Sequence, residues 1–262
     1  MKKAVLNTVK SGSLKASSSI VGLPKLTSYS PDDVFFCPEE SQFYSQCLEK
    51  MVFNRCEPFE QVIEFGTGDG TPVINGLLKT RFTGTIHGYE LSATACEVAK
   101  NRIKQYQLDG KYEVHNHCFF EGYKSISANY LIANPPYIPA PDDRIYMPAL
   151  HGGVDGATIT NKLLSIGCET VLLMISAYSN PVETIQHAID EGYSVIDFMI
   201  TPLQFGYYSS EPKVRDWITK LRDENKAFYS ANIYFLAGVL FQKISAGKTD
   251  LSAELIKVFK AL

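Results

Sequence analysis

The sequence predicts an α/β domain built on a doubly wound, mostly parallel sheet of seven strands, closed by an antiparallel strand pair. Three observations predict it. From residue 61 onward, short apolar runs alternate with helical periods, the pattern that βαβ units produce. The first run breaks into a glycine turn that opens a helix, as happens at the strand ends of such sheets. The last two runs, 193–203 and 233–244, are long and rich in β-branched and aromatic residues, and they pair antiparallel to close the sheet.

The elements follow in order. Residues 1–30 carry Lys2, Lys3, Lys10, Lys15 and Lys25, several serines and no acid, and read as a flexible arm. A signal peptide needs a continuous apolar stretch that is missing here. An organellar transit peptide shares the acid-poor, serine-rich composition but usually carries arginine. Residues 39–53 place Phe43, Cys47, Leu48 and Met51 at helical spacing. Strands follow at 61–65, 84–90, 111–116, 130–133 and 170–176. Between them lie helices at 71–79, 93–106 and 157–167, with another at 181–191. Pro72 and Pro181 sit near helix starts, where the missing N–H costs little. Ser92 is a suitable N-cap. A charged amphipathic helix with Trp217 spans 211–225, and a short one ends the chain at 252–262.

Composition narrows the function. A chain of 262 residues, 45% hydrophobic and 20% charged, suits one core of ordinary size. Net charge is −3 and the pI about 6.0, so there is no global attraction to nucleic acid. Lys100, Arg102, Lys104, Lys111 and Lys124 cluster, as a solvated helix face does. The six cysteines form no CxxC, and no His/Cys spacing suggests a metal. They read as reduced, mostly buried thiols, which points to the cytoplasm. No apolar run reaches the roughly 18 residues that span a bilayer.

Three motifs carry chemistry. Glu64-Phe65-Gly66-Thr67-Gly68-Asp69-Gly70 joins a strand to a helix, and its glycines admit a ligand close to the main chain. No Walker lysine follows, and Glu64 and Asp69 would repel an anion. Glu90 ends the next strand, where an acid can take both hydroxyls of a ribose. Asn134-Pro135-Pro136-Tyr137 ends the strand at 130–133. The prolines fix φ and force Asn134 to stay extended, so the turn presents one amide, free carbonyls and one ring. All three motifs fall at carboxyl ends of strands, where open α/β sheets bind ligands.

These motifs resemble the class I S-adenosylmethionine-dependent methyltransferases, with their Rossmann-like methyltransferase fold. Asn-Pro-Pro-Tyr is similar to the signature of members that methylate a planar nitrogen. Among these the chain looks most like the HemK-type protein-glutamine N5-methyltransferases. Val34-Phe35-Phe36-Cys37-Pro38-Glu39-Glu40-Ser41 is similar to their entry segment. The stretch from Glu90-Leu91-Ser92-Ala93 to Asn101 and the Gly152-Gly153-Val154-Asp155-Gly156 loop are similar to theirs too. The resemblance covers residues 33–176.

It implies S-adenosylmethionine over Glu64, Gly66, Thr67, Gly68 and Gly70, its ribose on Glu90, and Leu91, Cys118, Phe119 and Asn134 completing the cofactor site. Asn134, Pro135 and Tyr137 would be catalytic, with Tyr137 stacked on the acceptor group. No metal is implied. The domain would span 31–246, with a substrate-cap insertion at 203–230 and a terminal helix at 247–262. Departures touch the acceptor more than the cofactor: Glu64 and Cys118 stand where the family has Asp and an acid, and Asn129 replaces another Asp. The chain also lacks the N-terminal helical domain of the bacterial release-factor enzymes. A protein or peptide glutamine is the favoured acceptor. A small molecule, a nucleic acid or a non-catalytic cofactor-binding role stays open, and no membrane partner is expected.

Overall fold

The computed structural model describes residues 37–243 and 250–262. The predicted arm at 1–30 and the first part of the entry segment lie outside the described residues.

Seven strands form one sheet: β1 Gln61–Phe65, β2 Thr85–Tyr89, β3 Tyr112–His115, β4 Tyr130–Ala133, β5 Thr170–Ser176, β6 Tyr193–Gln204 and β7 Ile233–Lys243. Their order is β3-β2-β1-β4-β5-β7-β6. Only β7 runs against its neighbours, antiparallel to both β5 and β6. This is the predicted doubly wound sheet. The chain winds outward from β1 to β3, then crosses back to lay β4 on the other side of β1. That reversal opens a crevice between the carboxyl ends of β1 and β4.

The strands are apolar because helices cover both faces. Every residue of β5, between β4 and β7, is buried. The helices are α1 Pro38–Cys47, α2 Thr71–Lys79, α3 Ala93–Gln105, α4 Phe119–Gly122, α5 Thr158–Leu164, α6 Pro181–Asp190, α7 Pro212–Asp223 and α8 Ser252–Phe259. Ser92 caps α3, its hydroxyl accepting from the Ala95 N–H at 3.2 Å.

Three local expectations shift. The helix predicted over 39–53 changes character at Leu48, where Leu48–Phe53 widens into a π-helix and Asn54 N–H reaches the Glu49 carbonyl, five residues back, at 3.2 Å. The one-turn helix α4 was too short to show a period. Only Cys47 and Cys96 are buried, while the other four cysteines keep some exposure; all six are free thiols.

The segment between β6 and β7 matters for function. β6 ends, and β7 begins, on the same side of the sheet as the carboxyl ends of β1 and β4, because β7 is reversed. Residues 205–232, with α7, therefore lie on the ligand side. Helix α8 belongs to the same core: Leu255 and Phe259 are fully buried, and the Leu251 N–H donates to the Val195 carbonyl at 2.8 Å.

Gly238 shows how closely α1 sits on the sheet. A Cβ there would stand 2.4 Å from the Cys47 Sγ and 3.0 Å from its Cβ. We predict that Gly238→Ala lowers the urea midpoint by the equivalent of about 1–3 kcal/mol without changing the slope. Adding Cys47→Ala should recover part of the loss; an unchanged midpoint in the single variant would refute the packing argument.

Candidate active site

The glycine turn after β1 is stitched to the end of β2. Gly66 and Thr67 both donate to the Tyr89 carbonyl, at 3.0 and 3.3 Å. The Gly68 N–H donates to Glu90 Oε2 at 2.8 Å. Gly66 and Gly68 have φ of +70° and +57°, in the left-handed region that glycine enters without a Cβ penalty. A Cβ built on either meets nothing within 4 Å. The turn thus bares its main chain to open space.

Its flanking acids do not act as the sequence suggested. Glu64 is buried, and its Oε2 accepts from the Tyr112 hydroxyl at 2.5 Å and from the Thr67 hydroxyl at 3.0 Å. Burial pushes its carboxyl up to about 7, against the lowering effect of those two bonds. Asp69 pairs with Arg102 and accepts from the Thr71 N–H at 2.9 Å, which starts α2. Neither acid therefore offers the loop a free, fixed negative charge. The expected repulsion of anions by Glu64 and Asp69 is corrected accordingly, and Glu90 is left as the carboxylate of the turn.

Glu90 is held at both oxygens. Besides Gly68 on Oε2, the Ser92 N–H donates to Oε1 at 2.8 Å. A carboxylate has about four acceptor positions, so both oxygens keep capacity for a hydroxyl. Leu91, next in the chain, is 74% exposed. Asn116 ties the ends of β2 and β3 together, its Nδ2 donating to the Glu90 and Leu91 carbonyls at 2.8 and 3.1 Å. Sequence reasoning missed Asn116; its place two residues before Cys118 was the available signal. Cys118 sits half-buried at the start of α4. The Phe119 ring lies in the core, edge-on to Phe65 and Tyr89 and stacked on Tyr123.

Beyond β4 stands the Asn134-Pro135-Pro136-Tyr137 lip. It is clamped from behind by the glycine-rich loop: Ile138 and residues 150–152 exchange backbone bonds, and the Ser179 hydroxyl donates to the Tyr137 carbonyl at 2.7 Å. Gly152 has no room for a Cβ, which would lie 2.7 Å from the Tyr137 Cα. The sequence reading gave the Tyr137 ring to the acceptor; the structure gives it to the core. It is 7% exposed, packs on Tyr178 and donates its hydroxyl to Glu40.

Glu40, on α1, is the residue that sequence reasoning overlooked. Its buried carboxyl accepts from the Tyr137 hydroxyl on one oxygen and from the Tyr234 hydroxyl at 3.4 Å on the other, and burial raises its pKa against the lowering effect of its polar neighbours, Tyr137 first. The Asn134 Oδ1 is buried and has no partner among the described residues. The Pro135 carbonyl likewise accepts no bond from the described residues. Two unpaired acceptors therefore belong to consecutive residues at the end of β4.

The ligand side is walled by residues 139–157 and 205–232, which are bonded together. The Tyr146 N–H donates to Glu211 Oε2 at 2.6 Å, the Trp217 indole donates to the Val154 carbonyl at 2.6 Å, and Lys213 pairs with Asp142. The exposed rings of Tyr146 and Tyr207 lie 5.2 Å apart on this wall.

No family model and no curated protein matches the chain. Solved structures do match. A crystal structure of a candidate RNA methyltransferase from Pyrococcus horikoshii aligns over 81% of this chain and 88% of its own, with 13% identity and a TM-score of 0.52. This is a methyltransferase fold. A methyltransferase from Geobacter sulfurreducens in complex with S-adenosyl-L-homocysteine aligns over 80% of this chain and 92% of its own, at 13% identity and TM-score 0.49. The precorrin-6y C5,15-methyltransferase of Geobacter metallireducens aligns over 79% and 87%, at 10% identity and TM-score 0.47. At such identities the methyltransferase fold is what is shared.

Glu64 makes a testable link between site and stability. Its folded pKa lies above the ordinary 4.5, so its contribution is complete below pH 4.5 and lost as the pH climbs through about 7. The stability of the native chain relative to Glu64→Gln should fall by roughly 2–3 kcal/mol across that window. Urea melts of both proteins at several pH values would measure it, and parallel curves would show that Glu64 titrates normally.

Proposed function

We propose that this chain is an S-adenosylmethionine-dependent N-methyltransferase whose acceptor is a planar amide nitrogen, the side chain of a protein glutamine. One observation carries the reading: the buried Asn134 Oδ1 and the carbonyl of the next residue, Pro135, at the crevice between β1 and β4, both without a partner among the described residues. An NH₂ group has two protons to place, and two adjacent acceptors suit it.

The residues present fit the cofactor. Gly66 and Gly68 form a cradle that a Cβ would fill. Glu90 has acceptor capacity for two ribose hydroxyls, with the exposed Leu91 beside it. Cys118 and the backbone of Phe119 would border the other side. S-adenosylmethionine, when bound, supplies an electrophilic methyl group on its sulfonium. Glu64 does not reach for the ligand in this reading; with Thr67 and Tyr112 it braces the cradle from beneath.

The protein's own part is positioning. In this reading Glu40 braces the lip through the Tyr137 hydroxyl, and Asn134 Oδ1 receives one acceptor proton. Drawing both acceptor protons toward Oδ1 and the Pro135 carbonyl turns the nitrogen lone pair out of conjugation. Holding that lone pair in line is the catalytic contribution; no side-chain base is needed before attack, the sulfonium would leave as the neutral thioether, and the methylated nitrogen would then lose one proton to water. Tyr137 serves as a brace through Glu40.

A protein acceptor is favoured over nucleic acid by the state of the cations. Arg102 is tied to Asp69, Arg144 and Lys213 to Asp142, and Lys162 and Lys124 lie over Phe120 and Tyr123. Of the cluster around α3, Lys100, Lys104 and Lys111 stay exposed, a small patch for tracking a nucleic-acid backbone. The Tyr146 and Tyr207 rings offer the kind of surface that binds protein. No helix among the described residues is long and apolar enough to cross a membrane.

We predict that Asn134→Ala reduces turnover at least about 10²-fold while cofactor affinity, measured by calorimetry, stays within a few-fold. Methyl-labelled S-adenosylmethionine incubated with the protein and fractionated lysate identifies the acceptor class. Label in protein supports the reading. Label in nucleic acid or in small molecules replaces the acceptor, and tight binding without label makes the chain a non-catalytic cofactor-binding protein.

A further inference from the structure

One cluster of side chains lies outside the cofactor cradle and has no part in the proposed reaction. β2 and β3 pair in parallel, with His87 opposite Glu113 and Tyr89 opposite His115. Residues two apart on a strand share a face. His87, Glu113 and His115 therefore stand together, although 28 positions separate the two histidines. No spacing rule in the sequence reveals this, which is why the sequence reading found no metal site.

The distances suit an ion. His115 Nε2 lies 3.4 Å from His87 Nδ1, and Glu113 Oε2 lies 3.6 Å from the same nitrogen. One donor atom from each of the three falls within 4.8 Å of the others. A tetrahedral zinc ion with bonds of about 2.0–2.1 Å sets neighbouring donors roughly 3.3 Å apart. Two of the three edges are close to that spacing already.

The surroundings suit it as well. Gln61 Oε1 lies 2.8 Å from His87 Nε2. A carbonyl oxygen only accepts, so the proton sits on Nε2 and Nδ1 keeps its lone pair toward Glu113 and His115. Ligating histidines are oriented by such an outer partner. The His87 side chain is 11% exposed and that of Glu113 49%, so the cluster is anchored inside and open outside. Glu113 is exposed at the sheet edge, which opens the cluster to solvent.

We infer that His87, Glu113 and His115 form a binding site for a divalent ion of the zinc class, with three protein ligands and a fourth position open to water. Two imidazoles and one carboxylate are a donor set zinc accepts. The ion would bind the edge strand β3 to β2. It would do so just before Asn116, and the His115 carbonyl already accepts from the Glu90 N–H at 3.0 Å. Its role is to stiffen the strand ends that carry Glu90, independently of which acceptor is methylated. The competing arrangement is a shared proton, with His115 Nε2–H donating to His87 Nδ1.

The test uses the full chain, stripped with a chelator and titrated with Zn²⁺ against a chromophoric competitor. We expect one ion per chain, a higher melting temperature with zinc, and a tetrahedral visible band when Co²⁺ replaces it. His115→Ala should weaken zinc at least 10-fold, as should Glu113→Gln; Gln61→Ala should weaken it about 10-fold, acting through His87. His117→Ala, an exposed neighbour outside the set, should change nothing. Far-UV circular dichroism checks that each variant is folded, and Glu113→Gln at the exposed edge is the mildest change. Absence of zinc binding at micromolar concentrations overturns the proposal and leaves the shared proton. Equal affinity in folded His115→Ala overturns it too, because the free cysteines would then be the ligands.

Discussion

The carboxyl of Glu40 has been removed from water and accepts hydroxyls from two separate parts of the chain. Tyr137 belongs to the lip after β4, and Tyr234 lies at the start of β7. A buried carboxyl is costly unless its bonding capacity is met, and once met it specifies one arrangement of its partners. The N-terminal helix is thereby locked to the crevice it borders. Asn134, on the same lip, keeps its Oδ1 buried and unpaired among the described residues. An acceptor that protein or water could satisfy would be of less use to a substrate.

The same logic runs through the glycine turn. Glu90 is both the acid proposed to take the ribose and the acceptor that holds the turn to β2 and starts the approach to α3. Ligand capacity and loop geometry are thus set by one carboxylate. Glu64 and Asp69 are silenced by different means, one by burial against Tyr112 and the other by pairing with Arg102. The turn is preorganised, with one strong charge where three were counted. A zwitterionic nucleoside ligand meets less repulsion there than the sequence suggests.

Much of this was legible in the sequence, and what was legible shares one property: it is local. Strands alternating with helices, the turn at Gly66, Gly68 and Gly70, and the proline stop at Pro135 all write their geometry into adjacent residues. So does the Ser92 cap. What was illegible depends on pairing at a distance. Tyr137 looks like a presented ring until Tyr178 and Glu40 are placed around it. Glu40 reads as one of two acids in a helix's first turn, although Glu39 is exposed and Glu40 is buried. Glu64 looks like a ligand contact because nothing near it announces Tyr112, which enters from β3 over the gap left by Gly88. Asn116 and the histidines depend on the register of parallel strands, which amphipathic patterning does not specify.

β3 brings these strands of argument together. It is an edge strand of four residues, hydrogen-bonded on one side to β2, and such a strand has little ladder to hold it. Yet it delivers Asn116 and Cys118 to the cofactor side. Its side chains supply the missing hold on both faces. On one face Tyr112 crosses Gly88 to reach Glu64 beneath the glycine turn, and a Cβ at Gly88 would collide with Thr67, Glu64 and Tyr112 together. On the other face Glu113 and His115 meet His87, which Gln61 of β1 holds in turn. The first contact is a hydrogen bond to a carboxyl with a pKa near 7, and the second is a set of donors spaced for an ion. Both link β3 to β1, where the glycine turn begins, so the edge of the pocket is fixed to its centre by side chains rather than by the backbone ladder alone.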